Sequence, residues 1–182
     1  GSNCFIKNFQ GTLKNLVFEN CEFIDTEGGN PIGGIICHAS LTQTGYTVID
    51  NCHVRNTTVQ SAGDCGGIVG TIKECIIRNC SFTDGTVATG RSVCGGLIGK
   101  NNSWSRIENS YFVGNIMDLS GNSTVLGGII GYSDSHEIKN CYAVLMESNV
   151  PEKVAGIVSD IRTAGTISNC YSLYPQVICL DS

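Results

Sequence analysis

An Asn followed by Cys or Ser returns along the whole chain, as Asn20-Cys21, Asn51-Cys52, Asn79-Cys80, Asn109-Ser110, Asn140-Cys141 and Asn169-Cys170, at intervals of 31, 28, 30, 31 and 29 residues. A second mark runs out of phase with it: Gly33-Gly34-Ile35-Ile36, Gly66-Gly67-Ile68-Val69, Gly95-Gly96-Leu97-Ile98, Gly127-Gly128-Ile129-Ile130 and the looser Ala155-Gly156-Ile157-Val158. Self-similarity at a fixed period leaves three architectures: a solenoid, a propeller or a helical array. No window keeps apolar residues at i, i+3, i+4 and i+7, and 23 glycines among many β-branched residues disfavour helix. A propeller blade takes roughly 40 residues or more. The expected fold is therefore all-β, a parallel β-solenoid of about five to six coils of ~30 residues, one coil per repeat.

The residues around the Asn predict how a coil is built. Two places before it stand Phe18, Ile49, Ile77, Ile107, Ile138 and Ile167, and one place before it Glu19, Asp50, Arg78, Glu108, Lys139 and Ser168. That is strand alternation, apolar inward and polar outward. Unbroken alternation would turn the Cys outward. A bend at the Asn, with the positive φ that Asn tolerates, instead turns the Cys and the residue two beyond it inward. Coils ~4.8 Å apart then stack like residues in columns: an Asn ladder, an Ile column and a thiol column of Cys21, Cys52, Cys80, Cys141 and Cys170. The Gly-Gly marks predict a second corner where glycine is needed for its backbone angles or for close approach.

At 182 residues with one uninterrupted period, residues 1–182 read as a single solenoid domain and a segment of a larger modular protein. Residues 1–15 read as an N-terminal cap or partial coil, 16–175 as the repeats and 176–182 as a C-terminal tail. Two loops lengthen the repeats, Cys37 to Tyr46 and Asn115 to Val125. Such insertions form binding edges on some solenoids and are merely tolerated on others.

The net charge is −5 and the 11 Lys and Arg are scattered, which argues against a nucleic-acid partner. No apolar run approaches the ~20 residues of a membrane span, so no direct membrane insertion is expected. The 11 cysteines admit two readings, of which buried free thiols acting as small hydrophobes are favoured over disulfides, since the count is odd and a column of five cannot all pair. Cys65 with Cys94, each just before a Gly-Gly, is the best candidate bridge. One thiol per coil gives a line rather than a tetrahedron, so no metal and no other cofactor is expected.

The position after the thiols reads Glu22, His53, Ser81, Tyr111, Tyr142 and Tyr171. By parity these point outward, and three tyrosines would stack as an aromatic stripe. Tyr111, Tyr142, Tyr171 and His53 are the candidate binding residues, since rigid amphipathic rings commonly contact proteins and sugars. The structural reading is that in-register aromatic ladders also stabilise sheets. The enzymatic alternative, a polysaccharide lyase or hydrolase, needs carboxylates converging on one outer face. Asp25, Glu27, Asp84 and Arg55 lie at differing offsets from their Asn, and His38, His53 and His136 occupy unrelated repeat positions. No catalytic residue is therefore assigned.

The unit GG[IL][IV]G, a short polar spacer, then hydrophobic-polar-Asn-Cys-Tyr resembles the GLUG repeat. Gly127 to Val144 and Ala155 to Leu173 carry it most fully, and Gly66 to Phe82 and Gly95 to Phe112 carry it with substitutions around the Cys. The resemblance implies a right-handed parallel β-helix in large bacterial surface or secreted proteins, adhesin-like or associated with IgA-cleaving peptidases. It carries over no catalytic residue: His136-Glu137 is followed by Asn140, so the H-E-x-x-H zinc signature is absent. The function expected is a non-catalytic, extracellular or cell-surface module. It would bind a host glycan or extracellular protein or act as a rigid stalk, with uncapped solenoid ends or edges able to pair with another copy.

Overall fold

The structure is a computed structural model describing residues 4–43, 45–121, 125–149 and 154–174. Among these there is no helix. Twenty-one strands form a 16-stranded and a 5-stranded sheet, and the strands pair in parallel. The chain winds as a β-solenoid of about five turns.

The pairing registers define the coils. Ile6–Phe9 lies on Ile36–Ser40, which lies on Val69–Lys73, then on the first half of Ile98–Glu108. A second wall stacks Thr47–Arg55, Cys75–Arg78, and the second halves of Ile98–Glu108 and Ile130–Lys139 through Ile49, Ile77, Ile107, Ile138 and Ile167. The short strands Ile32–Gly33, Cys65–Gly66, Val93–Gly95, Val125–Gly127 and Val154–Ala155 form the smaller sheet.

The Asn corner is built as alternation demands. Asn51, Asn79, Asn109, Asn140 and Asn169 have φ of 53°, 54°, 51°, 53° and 51°. Each is in the left-handed region, where the short Asn side chain is tolerated better than most. The turn flips the parity, so Cys52, Cys80 and Cys141 are buried, while His53 and Tyr142 after the first and third are partly exposed and Ser81 after the second is covered. The amides link only in part. Asn140 donates to Asn109 Oδ1 at 3.0 Å and Asn169 to Asn140 at 3.3 Å, but Asn79 donates to Asp50 Oδ1 at 2.9 Å.

The first rung departs from the expected alignment. Leu13 pairs with Ile49, Leu16 with Cys52 and Val17 with His53, so the first member of the Asn ladder is Asn15, not Asn20. Asn15 has φ 58° and accepts from Asn51 Nδ2 at 2.8 Å. Asn20 belongs to a separate corner with Asn56 and Asp84, at φ 57°, 43° and 56°, and accepts from Asn56 Nδ2 at 2.6 Å. Cys21 accordingly sits beside Thr57 rather than under Cys52, its N–H donating to Thr57 Oγ1 at 3.3 Å. The thiol column is Leu16, Cys52, Cys80, Ser110, Cys141 and Cys170. Both corners need a left-handed residue and both use Asn, so the dipeptide alone does not separate them.

The glycine pairs serve close approach. Their φ values are not positive; among the described glycines only Gly11, Gly45 and Gly121 have that geometry. A Cβ on Gly67 would strike Gly96 O and the Phe82 ring, and one on Gly96 would strike Gly128 O and the Phe112 ring. The absent side chains make room for an inner stack in which Phe82 and Phe112, both fully buried, lie 5.5 Å apart at 20°.

Outside the second wall runs a column of alternating charge, Lys14, Asp50, Arg78, Glu108 and Lys139. Asp50 takes Arg78 at 3.0 Å and Lys14 at 3.7 Å, and Glu108 takes Lys139 at 3.9 Å. A hydrogen bond from Asn79 and then one from Arg78 hold the Asp50 carboxyl below its ordinary value.

The favoured reading of buried free thiols holds for Cys65 and Cys94, and the bridge for which the sequence makes them the best candidates is not formed. The two stack in register as buried free thiols, and burial pushes the Cys94 thiol well up. Among the described residues the disulfide is Cys4–Cys37, with Cα atoms 5.8 Å apart, which ties the start of the first coil to the second. Cys52 lies one rung from Cys80; their mutual hydrogen bond lowers Cys52 to about 7 and raises Cys80. Burial lifts Cys75 and Cys141 to about 12.

Candidate functional site

The strands that follow the Asn corner carry the candidate site on their outer face. Tyr111 pairs with Tyr142, and Tyr142 with Tyr171. In-register stacking brings the rings face to face, with centroids 4.7 and 5.1 Å apart and planes within 4°. Tyr171 is 61 % exposed and the other two are half-buried. Burial, with the flanking tyrosines adding to it, raises the Tyr142 hydroxyl above its usual value. The ladder presents ring edges and hydroxyls along the solenoid axis.

His53 belongs to the same column but not to the aromatic stack. Ser81, itself buried, stands between it and Tyr111. Its Nδ1 lies 2.8 Å from Ser81 Oγ and its Nε2 3.0 Å from Asn51 Oδ1, so both ring nitrogens are engaged. Burial and the nearby Arg55 lower its pKa, which favours the neutral ring. In chain order the column begins with Val17, 56 % exposed, and not with Glu22, which pairs with Thr58.

About 7 Å further along the same strands, on the same face, lies a groove of about 480 Å³ that the sequence did not disclose. Its cause is a single residue. In the first three coils Asn20, Asn56 and Asp84 kink the chain after this strand, whereas the register jumps from Thr83 to Gly85 opposite the continuous Val113-Gly114, leaving Asp84 without a counterpart in the fourth coil. The strand Tyr111–Asp118 runs straight on. Where kinked coils meet straight ones the surface steps, and the groove occupies the step. Its lining includes Asn56, Asp84 and Thr86, Val113 and Asn115 of the straight strand, and Met146 and Glu147 of the coil beyond. Gly85 is required there, since a Cβ would strike Thr57 O.

Two carboxylates, Asp84 and Glu147, thus face one groove. The other residues weighed for catalysis are scattered. Asp25 accepts from the N–H groups of Gly28 at 2.8 Å and Glu27 at 3.3 Å, as a turn cap. Arg55 is in register with Glu19 and Thr83. His38 bonds Thr71 at 2.6 Å and buried His136 bonds Ser133 at 3.0 Å, on other parts of the coil. Among the described residues no group of His, Cys, Asp and Glu could hold a metal ion.

Of the two loops, Cys37 to Tyr46 is in part the strand Ile36–Ser40, and Tyr46 beyond it meets Trp104 with ring centroids 5.3 Å apart and planes tilted by 52°. Asn115 to Asp118 of the other continues the strand, and 122–124 lie outside the described residues.

No family model matches the sequence, and no curated protein does. Among solved structures, the chain is similar to a candidate immunoglobulin A1 protease from Bacteroides ovatus, at 22% identity and a TM-score of 0.61 over 93% of this chain. The match spans 63% of that protein's length, and it shows a shared β-solenoid fold.

Proposed function

We propose that this chain is a non-catalytic binding module of a secreted or cell-surface β-solenoid protein, engaging glycans along its tyrosine ladder. The observation that carries the reading is the stack of Tyr111, Tyr142 and Tyr171, three parallel rings at the chain's outer surface. A stack built only for stability has no need of the adjoining polar groove, whereas a bound chain of sugars uses both ring surface and hydrogen-bonding groups. The GLUG-like repeat supports placement in a large surface protein. The name of the structural neighbour, which refers to an extracellular immunoglobulin, supports a location outside the cell.

The test is a screen of the folded chain against glycans and extracellular glycoproteins, beside the variant Tyr111/Tyr142/Tyr171→Ala. Binding by the parent that vanishes in a variant with an unchanged circular dichroism spectrum supports the reading. If neither binds, the module is a rigid spacer, the second use a stiff solenoid serves.

One observation favours a different class. Asp84 and Glu147 line the same groove, as a glycoside hydrolase requires of its two carboxylates. No Lys or Arg lines it among the described residues, which disfavours a lyase. Release of reducing sugar by the parent, lost in Asp84→Asn, would replace the binding reading with a hydrolase.

A further inference from the structure

The groove beside the tyrosine ladder has a charge and hydrogen-bonding character that defines its ligand more narrowly than "glycan". Part of its donor capacity is used within the protein: one N–H of Asn56 Nδ2 goes to Asn20 Oδ1 at 2.6 Å and one of Asn115 Nδ2 to Thr86 Oγ1 at 3.4 Å. Its lining also carries the acceptor oxygens of these amides and the carboxylates of Asp84 and Glu147, and among the described residues no ion pair engages either carboxylate.

The ion-paired cations lie elsewhere: Arg78 and Lys14 face Asp50, Arg106 faces Glu137 and Lys139 faces Glu108, all on the neighbouring wall. Arg55, next to Asn56 in the chain, is exposed, in register with Glu19 and not among the residues that line the groove. A ligand suited to this groove brings donors for its oxygens and does not bring negative charge, because like charges brought together at an interface are disfavoured. Sugar hydroxyls satisfy the first condition, and a carboxylate or sulfate on the sugar violates the second. The groove reaches from Asn56 in the second coil to Glu147 in the fifth, about 14 Å at the coil rise, which is the scale of a short oligosaccharide.

We propose that the groove lined by Asp84, Asn115 and Glu147 selects uncharged oligosaccharides over acidic ones, their hydroxyls donating to its acceptor oxygens while adjoining sugar units lie along the tyrosines. This rests on the glycan-binding reading above.

The experiment is calorimetric titration of the whole chain with two neutral probes, cellotetraose and chitotetraose, and two acidic ones, trigalacturonate and sialyllactose. It is repeated on the Asp84→Asn/Glu147→Gln variant and on the triple tyrosine variant. Asn at 84 tolerates the φ of 56°, so the carboxylate variant is expected to fold. The expected result is binding of a neutral probe with acidic probes weaker by roughly tenfold or more, and a gap that closes in the Asp84→Asn/Glu147→Gln variant. Acidic probes bound as tightly as neutral ones by the parent would overturn the charge selection while leaving glycan binding intact. Neutral-selective binding that survives loss of the tyrosines would confine the site to the groove and remove the ladder's role. No binding of any probe would sink both readings together.

Discussion

Two aromatic stacks sit back to back on the same strands. Phe82 and Phe112 face inward, Tyr111 and Tyr142 face outward, and Phe112 follows Tyr111 directly in sequence. Both stacks arise from the same cause, in-register parallel coils that bring like residues within about 5 Å. Yet the inner pair is fully buried beneath Gly67 and Gly96, while the outer ladder ends in a tyrosine 61 % exposed. Identical geometry therefore serves stability on one face and leaves contact surface on the other.

The largest effect expected of breaking this contrast is on the inner stack. Phe112→Ala removes a ring with no solvent access and should cost about 3–5 kcal/mol, read as a drop in the denaturation midpoint. Next is Gly96→Ala, where the added methyl meets the Phe112 ring and the backbone of the following coil. Its cost should be about 1–3 kcal/mol or more, and only the ring's share should be relieved in a Phe112→Leu background. Tyr142→Ala should lower stability by about 0.5–1 kcal/mol while weakening ligand binding far more. A Tyr142→Ala variant as unstable as Phe112→Ala would erase the distinction between the stacks.

The smallest effect belongs to Asp50 on the outer face of the neighbouring wall. Its folded-state pKa lies below the ordinary 3.8, so its contribution is present above that pH and is lost as pH falls through the lowered value. Asp50→Asn should therefore flatten the acid limb of the stability profile below about pH 4, and leave neutral-pH binding unchanged.

Much of this was legible because the repeat reports its own physics. An Asn between an apolar-polar pair and an inward Cys requires a parity flip, and the left-handed φ at Asn51 through Asn169 is that flip. The burial of Cys52 and the stacking of the tyrosines follow from it. The first coil was misaligned because Asn15 is followed by Leu16, not Cys; the better signal was Leu13-Lys14-Asn15, which matches Ile49-Asp50-Asn51 in pattern and opposes it in charge. The glycine pairs were legible as a corner, but their neighbours, Phe82 and Phe112 two places beyond Cys80 and Ser110, lie in other parts of the coil. The groove was not legible, since it depends on one missing residue in the fourth coil and on side chains from four coils. The Cys4–Cys37 bridge joins positions that share no repeat phase.

The alternating charges outside the second wall have a consequence for how such a chain can grow. Lys14, Asp50, Arg78, Glu108 and Lys139 make each of five successive coils the electrostatic opposite of the next, before the column passes to the neutral Ser168. Removing the third coil alone would set Asp50 against Glu108, and inserting one extra copy of any coil would set like against like. Excising or duplicating two adjacent coils among these five sets no like charges together. On this wall the unit of lengthening is the pair of coils, twice the period that the Asn and glycine marks display.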